Sequence, residues 1–184
     1  MNSITIIIVG IISFALLVIG FRKKLKKASF EIYKFFKVSI ETHSPVGANK
    51  NQNTKLDKSS IRILFIDDNK FPIIENLKNA GYTVQWIKDI KHIEEVKVTD
   101  SHILFVDYKG VGKNLSQNKE GVGICKMLKD KYKKSKYVVL CTGESIPNEL
   151  LKEIKSISDA IVPKSLETTD FINIINEAME KIEV

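Results

Sequence analysis

The stretch 61–69, IRILFIDDN, indicates the fold, because a continuous apolar run is followed at once by two carboxylates. Two further runs have the same form, since 103–107 reads ILFVD and 137–142 reads YVVLCT. Uninterrupted apolar runs of this length are typical of strands covered on both faces, as in a parallel sheet. The segment 83–87 (TVQWI) alternates instead, and 160–162 (AIV) is short, so we expect these two to be edge strands.

Amphipathic stretches separate these five predicted strands. The clearest is 171–182, where apolar side chains recur at helical spacing. Further helices are predicted at 71–80, 123–132 and 150–157, with a weaker helical pattern at 92–98. Alternation of strand and helix predicts an α/β fold built on a doubly wound, five-stranded parallel sheet.

Polar side chains follow the predicted strands at their carboxyl ends. They are Asp67 and Asp68 after the first strand, Asp107 after the third, Thr142 after the fourth and Lys164 after the fifth. In an open α/β sheet, the carboxyl ends of the strands form the ligand crevice. Clustered carboxylates repel one another unless a cation is present, and Mg²⁺ prefers oxygen ligands. The pattern therefore predicts a magnesium site, although each Asp taken alone could simply be a turn former or helix cap.

Residues 61–184 resemble a response-regulator receiver domain of two-component signalling. The motifs that carry the resemblance are IDDN at 66–69, VD at 106–107, CTG at 141–143 and PK at 163–164. Their order and strand positions are more specific than any one of them alone. The resemblance covers about two thirds of the chain and implies the flavodoxin-like strand order 2-1-3-4-5.

The resemblance also implies a role for each site residue. Asp107 is expected to accept a phosphoryl group from a phosphohistidine on a histidine kinase or phosphotransfer protein. The expected Mg²⁺ ligands are the carboxylates of Asp67 (mainly through a water), Asp68 and Asp107, and the backbone carbonyl of Lys109. The residues expected to contact the phosphoryl group are Thr142, Gly143 and Lys164.

Three features depart from the family pattern. A long loop, 108–121, replaces a short turn after Asp107 and predicts a mobile cover over the site. Lys164 is followed by Ser165 instead of proline, which leaves the direction of the lysine open. No aromatic residue stands near Ile161, where the family has its switch residue. A pseudo-receiver, which binds partners without phosphotransfer, therefore remains an alternative to a phosphorylated receiver.

No enzymatic activity is expected beyond the gain and loss of the domain's own phosphoryl group. A hydrolase of the haloacid dehalogenase type uses the same residue types, but in the order Asp, Thr, Lys, Asp. In this chain the order is Asp, Asp, Thr, Lys, which disfavours that class. Because the chain ends with the fifth predicted helix, we expect no output domain, and signalling would pass through protein contacts.

The first 60 residues differ in character from the rest. Residues 1–21 carry no charged side chain and predict a transmembrane anchor. Residues 22–41 predict a basic juxtamembrane helix, and 42–60 a flexible polar linker. Positive charge after the apolar run places the receiver-like domain, 61–184, in the cytoplasm. The sequence thus predicts a single-pass membrane protein, and the juxtamembrane helix could also pair in a homodimer.

The net charge of +7 belongs to one short segment. Residues 22–37 hold seven basic side chains and one acidic side chain, whereas 38–184 holds 22 basic and 21 acidic ones. Nucleic-acid binding by the globular part is therefore not expected. Cys125 and Cys141 match no metal-ligand spacing, so we expect reduced thiols in the core.

Overall fold

The computed structural model describes residues 57–116 and 119–183, which form alternating strands and helices. The strands are β1 (Arg62–Ile66), β2 (Thr83–Ile87), β3 (Ile103–Asp107), β4 (Tyr137–Thr142) and β5 (Ala160–Pro163). The helices are α1 (Ile73–Asn79), α2 (Val96–Thr99), α3 (Glu120–Tyr132), α4 (Asn148–Ile157) and α5 (Thr168–Lys181). A short 3-10 turn, Lys133–Ser135, follows α3.

The five strands form one parallel sheet in the order β2-β1-β3-β4-β5. The three continuous apolar runs occupy its centre, and the alternating and short strands occupy its edges. This confirms the predicted α/β class and the predicted strand order. Since all strands run the same way, their carboxyl ends lie along a single edge of the sheet.

Both faces of the sheet are covered by helices. Phe65 and Phe105 stack on one face with their ring centroids 4.5 Å apart, and α1 and α5 pack over them. Leu64 and Leu104 lie on the opposite face, which α3 and α4 cover. Burying each such side chain stabilises the fold by about 1.5–3 kcal/mol. Continuous apolar strands therefore result from burial on two faces.

The weak helical pattern at 92–98 corresponds to only one helical turn, Val96–Thr99. Before it, the Asp89 carboxylate accepts a hydrogen bond from the Ile90 amide, and the Glu95 carboxylate accepts one from the Lys91 amide. Such side-chain bonds compete with the helical ladder and favour irregular backbone. The helix predicted there is thus shortened.

The loop predicted at 108–121 ends earlier than expected, because α3 already begins at Glu120. Val111 in this segment is fully buried, and the amide of Gly112 donates to Asp89 Oδ1 at 2.7 Å. These contacts hold the described part of the segment, 108–116, against the domain. Movement of the segment over the site stays a prediction.

The prediction of a single-pass membrane localisation is wrong, because the structure contradicts it. Within 57–116 and 119–183, no helix is long and apolar enough to cross a bilayer. The longest helix there has 14 residues, whereas a span needs about 20. The predicted anchor, 1–21, and juxtamembrane helix, 22–41, lie outside the described residues. Of the predicted linker, 57–60 is described and forms a turn, in which Asp57 Oδ1 accepts the amides of Ser59 and Ser60.

Candidate functional site

The polar residues that end the strands meet at one edge of the sheet. Asp67, Asp68 and Asp107 each present a carboxylate oxygen, and these oxygens lie within 4.8 Å of one another. Asp68 and Asp107 border a cavity of about 420 Å³, and Asp67 is buried behind them. The cavity is lined by Asp68, Asn69, Asp107, Tyr108, Lys109, Gly110, Thr142, Gly143, Glu144 and Lys164.

Lys164 joins two of the carboxylates. Its Nζ lies 2.6 Å from Asp67 Oδ2 and 2.8 Å from Asp107 Oδ2. Asp67 Oδ2 is buried and lacks a well-directed hydrogen bond, so its contact with the ammonium is mainly electrostatic. The lysine's direction, which the sequence left open, is therefore towards the carboxylates. Its backbone amide donates to the Thr142 carbonyl at 2.8 Å, which fixes the turn after β5.

Burial and charge act in opposite directions on this ion pair. Burial raises the pKa of Asp107 above its usual value, the Lys164 ammonium lowers it, and the charges of Asp67 and Asp68 raise it again. The net direction is upward, since one ammonium serves more than one carboxylate. For Lys164, burial lowers the pKa, but its ion pairs with Asp107 and Asp67 outweigh burial and the pKa is raised. The cluster keeps an excess of negative charge.

The two carboxylates after β1 have different surroundings. Asp67 is 1% exposed, and its Oδ1 accepts the amide of Asn69 at 3.0 Å. Its carbonyl accepts the indole N–H of Trp86 at 2.8 Å, which ties it to β2. Asp68 is exposed, and its Oδ1 accepts the side-chain amide of Asn69 at 2.7 Å. Asp67 is thus a fixed buried charge, while Asp68 faces the solvent side of the cavity.

Thr142 and Gly143 form the β4 side of the cavity. The Thr142 hydroxyl donates to the Glu144 carbonyl at 2.7 Å and accepts the Glu144 amide at 3.1 Å. Around a Cβ placed on Gly143 there would be no atom within 4 Å, so open space adjoins this residue. A group that enters the cavity could therefore approach this turn closely.

An ion pair that the sequence reasoning missed spans the cavity. Lys109 Nζ contacts Glu144 Oε1, and both side chains line the cavity. Its sequence signal was available, because opposite charges stand two residues after Asp107 and two residues after Thr142. This exposed ion pair joins the loop after β3 to the loop after β4. Glu144 raises the pKa of Lys109.

Gly121 explains how α3 can begin beside the acidic cluster. A Cβ at this position would lie 1.7 Å from the backbone oxygen of Asp107. Only glycine therefore allows the first turn of α3 to pack directly against the backbone of Asp107. The position of Asp107 depends on this contact as well as on the strand.

The donor set fits a hard divalent cation. Three carboxylates supply oxygen atoms at mutual distances that one ion could bridge. Mg²⁺ binds such oxygen ligands in preference to nitrogen or sulfur. A metal ion is consistent with this cluster, and its identity follows here from the ligand chemistry alone.

Comparison with known proteins shows the fold of this chain. No family model matches the sequence, and no curated protein matches it. An orphan response regulator of Helicobacter pylori, HP1043, aligns over 67% of this chain and 99% of its own, with 15% identity and a TM-score of 0.52. NtrX from Brucella abortus aligns over 66% of this chain and 27% of its own, with 16% identity and a TM-score of 0.53. The described part of this chain has the fold of a response-regulator receiver domain.

Proposed function

We propose that this domain, 61–184, is a two-component receiver that accepts a phosphoryl group on Asp107. The donor would be a phosphohistidine on a histidine kinase or phosphotransfer protein. The observation that carries the proposal is the ammonium of Lys164, held 2.8 Å from Asp107. It lies in a cluster of three carboxylates, beside the cavity that Thr142 also lines. A cation paired with a nucleophilic carboxylate in an open cavity suits phosphoryl transfer better than a structural role.

The proposed reaction is a displacement at phosphorus. A carboxylate oxygen of Asp107 forms the new P–O bond while the P–N bond to the donor histidine breaks, and the histidine leaves. Lys164 is aligned to pair with a phosphoryl oxygen as charge moves onto the transferring group. Because the pKa of Asp107 is raised chiefly by burial, the ammonium also helps to keep this carboxyl ionised for attack.

The ligands proposed for Mg²⁺ are Asp68, Asp107 and the Lys109 carbonyl, with Asp67 acting mainly through a water. When bound, the ion would offset the charge of the carboxylates and of the phosphoryl oxygens. The exposed position of Asp68 favours direct ligation, since its charge costs little to bring into contact with a hydrated ion. Asp67, held by Lys164 and Asn69, has less freedom to move.

Thr142 provides a route from the site to the surface. To contact a phosphoryl oxygen, its hydroxyl must turn away from the Glu144 carbonyl. That rotation removes a bond which holds Glu144 in place, and with it the contact between Glu144 and Lys109. The loop after β4 would then change its surface, and a partner protein would recognise the change. The proposed role is that of a signalling switch, with no turnover beyond its own phosphoryl group.

The proposal can be tested by the intact mass of the full chain after incubation with Mg²⁺ and a small acyl phosphate. We expect wild type to gain the mass of one phosphoryl group, and to gain nothing when EDTA replaces Mg²⁺. Asp107→Ala should gain none. Asp130→Ala, which removes an exposed aspartate of α3, is the control and should behave as wild type. Equal phosphorylation of Asp107→Ala would exclude Asp107 as the acceptor.

A pseudo-receiver scaffold is the second candidate, favoured by one observation. Ile161 occupies the place of the family's aromatic switch residue and is 6% exposed within the core. An aliphatic core residue cannot swing between a buried and an exposed ring position. A folded wild-type chain that gains no phosphoryl group with any small donor would favour this second function.

A further inference from the structure

Glu120, the first residue of α3, reaches back to the loop that follows Asp107. Its Oε2 accepts a hydrogen bond from the backbone amide of Gly110. We propose that Glu120 is a positioning residue for the metal site, because this bond orients the peptide whose carbonyl belongs to Lys109. The inference rests on the proposed function, in which that carbonyl is a magnesium ligand.

The geometry of the 109–110 peptide links Glu120 to the Lys109 carbonyl. The described peptide bonds include no cis bond, and in a trans peptide the N–H and C=O groups point in opposite directions in one plane. The amide of Gly110 and the carbonyl of Lys109 belong to the same peptide unit. When Glu120 fixes the direction of the N–H, it therefore fixes the direction of the carbonyl on the other side.

Gly110 lies close to the carboxylate of Asp68. Gly110 has φ +89°, and a Cβ there would lie 2.6 Å from Asp68 Oδ2. Its backbone therefore lies directly against a proposed ligand carboxylate. A rotation of the 109–110 peptide would change the direction of the Lys109 carbonyl relative to Asp68. The site accordingly needs something outside it to hold this peptide in one orientation.

Glu120 has an unusual backbone conformation. Its φ is +42°, a left-handed conformation that costs free energy for a residue with a side chain. The next residue, Gly121, packs against the backbone oxygen of Asp107. The start of α3 therefore contacts the acceptor strand with one residue and the Lys109–Gly110 peptide with the preceding one. Glycine or asparagine would adopt this backbone more easily. The backbone conformation alone therefore does not explain why a glutamate stands at this position.

The charge of Glu120 strengthens its hold on the 109–110 peptide. A carboxylate that accepts an amide N–H makes a shorter and stronger bond than a neutral acceptor does. It also polarises the peptide, so that the carbonyl oxygen becomes a better donor to a cation. Partners that orient metal ligands from outside change metal affinity by about 10–100-fold when removed. We expect the lower part of this range, because only one of the proposed ligands is held in this way.

The test is magnesium affinity of the full chain without any phosphoryl donor. Trp86 is the single tryptophan of the chain, and its indole N–H donates to the Asp67 carbonyl, so its emission reports on the site. Urea unfolding with and without saturating Mg²⁺ gives an independent measure of binding. We compare wild type with Glu120→Gln, Glu120→Gly and the control Glu94→Gln. Glu94 is an exposed carboxylate that pairs with Lys131.

We expect Glu120→Gly to weaken Mg²⁺ binding about 10-fold and Glu120→Gln to weaken it by less, since glutamine keeps a neutral acceptor. Glu94→Gln should bind as wild type. Unfolding in EDTA should show Glu120→Gly close to wild type in stability, because relief of the left-handed backbone offsets loss of the bond to Gly110. Loss of affinity without loss of stability separates positioning from a structural role.

Two outcomes would overturn the inference in different ways. If wild type binds Mg²⁺ and both Glu120 variants bind it within twofold of wild type, the positioning role is refuted and the proposed function stands. If wild type shows no Mg²⁺ binding by either measurement, the metal site of the proposed function fails, and the role of Glu120 fails with it.

Discussion

Replacing Lys164 by methionine should destabilise the metal-free domain, because it leaves buried carboxylates without their cation. The ammonium lies 2.6 Å and 2.8 Å from two carboxylate oxygens, and the lysine side chain is 21% exposed. Removing one partner of a buried ion pair costs about 3–5 kcal/mol. The partial exposure of Lys164 places the expected loss of unfolding free energy at the low end, about 3 kcal/mol.

A double-mutant cycle separates this charge effect from loss of packing. In an Asp107→Asn background one of the stranded carboxylates is absent, so Lys164→Met should cost less, with a coupling of at least about 1 kcal/mol. The assay is urea unfolding in EDTA, followed by circular dichroism. Lys78→Met is the control, since Lys78 makes an exposed pair with Glu75 that is worth under about 1 kcal/mol. If Lys164→Met costs no more than the control, or costs the same in both backgrounds, the ammonium does not stabilise the carboxylate cluster.

Further predictions concern charge, packing and thiols. Burial raises the pKa of Asp107 above its ordinary value of 3.8, so the stability given by its neutral form is complete below that value and is lost as pH rises through the folded-state pKa. In EDTA, the unfolding free energy of Asp107→Asn minus that of wild type should therefore grow as pH rises from about 4 through the folded-state pKa of Asp107; a constant difference would contradict it. Gly121→Ala, whose Cβ would lie 1.7 Å from the Asp107 oxygen, should lose about 3 kcal/mol of unfolding free energy. Gly143→Ala, which meets open space, should lose less than about 0.5 kcal/mol, and similar losses in both would argue against the packing of α3. Burial raises the pKa of the Cys125 and Cys141 thiols, so neither should react with a thiol reagent until urea unfolds the chain, and rapid labelling of the native protein would contradict that.

Much of the fold could be predicted because burial on two faces leaves a direct trace in the sequence. The runs that end at Ile66, Val106 and Cys141 are apolar, and only central strands of a parallel sheet need that pattern. Strand ends then place polar residues at one edge, so the meeting of Asp67, Asp68 and Asp107 followed from topology. The predicted placement of the cysteines in the core is likewise confirmed, since both are buried and free.

The missed features depend on contacts between loops, which periodicity does not record. The bond from Gly110 to Glu120 requires two left-handed residues, and a pattern of apolar spacing contains no signal for either. The contact of Lys109 with Glu144 joins loops from two strands that are neighbours only after folding. The helix predicted at 92–98 shortened because carboxylates of Asp89 and Glu95 bond to nearby amides, a competition that helix propensity does not capture.

The most direct test of the account is to locate the phosphoryl group on the chain. Borohydride reduces an aspartyl phosphate to homoserine, which peptide mass spectrometry can assign to one residue. After treatment with Mg²⁺ and a small acyl phosphate, the account predicts homoserine at position 107 and at no other aspartate. Homoserine at 67 or 68, or none in a chain that is folded and binds Mg²⁺, would contradict the claim that Asp107 is the phosphoryl acceptor.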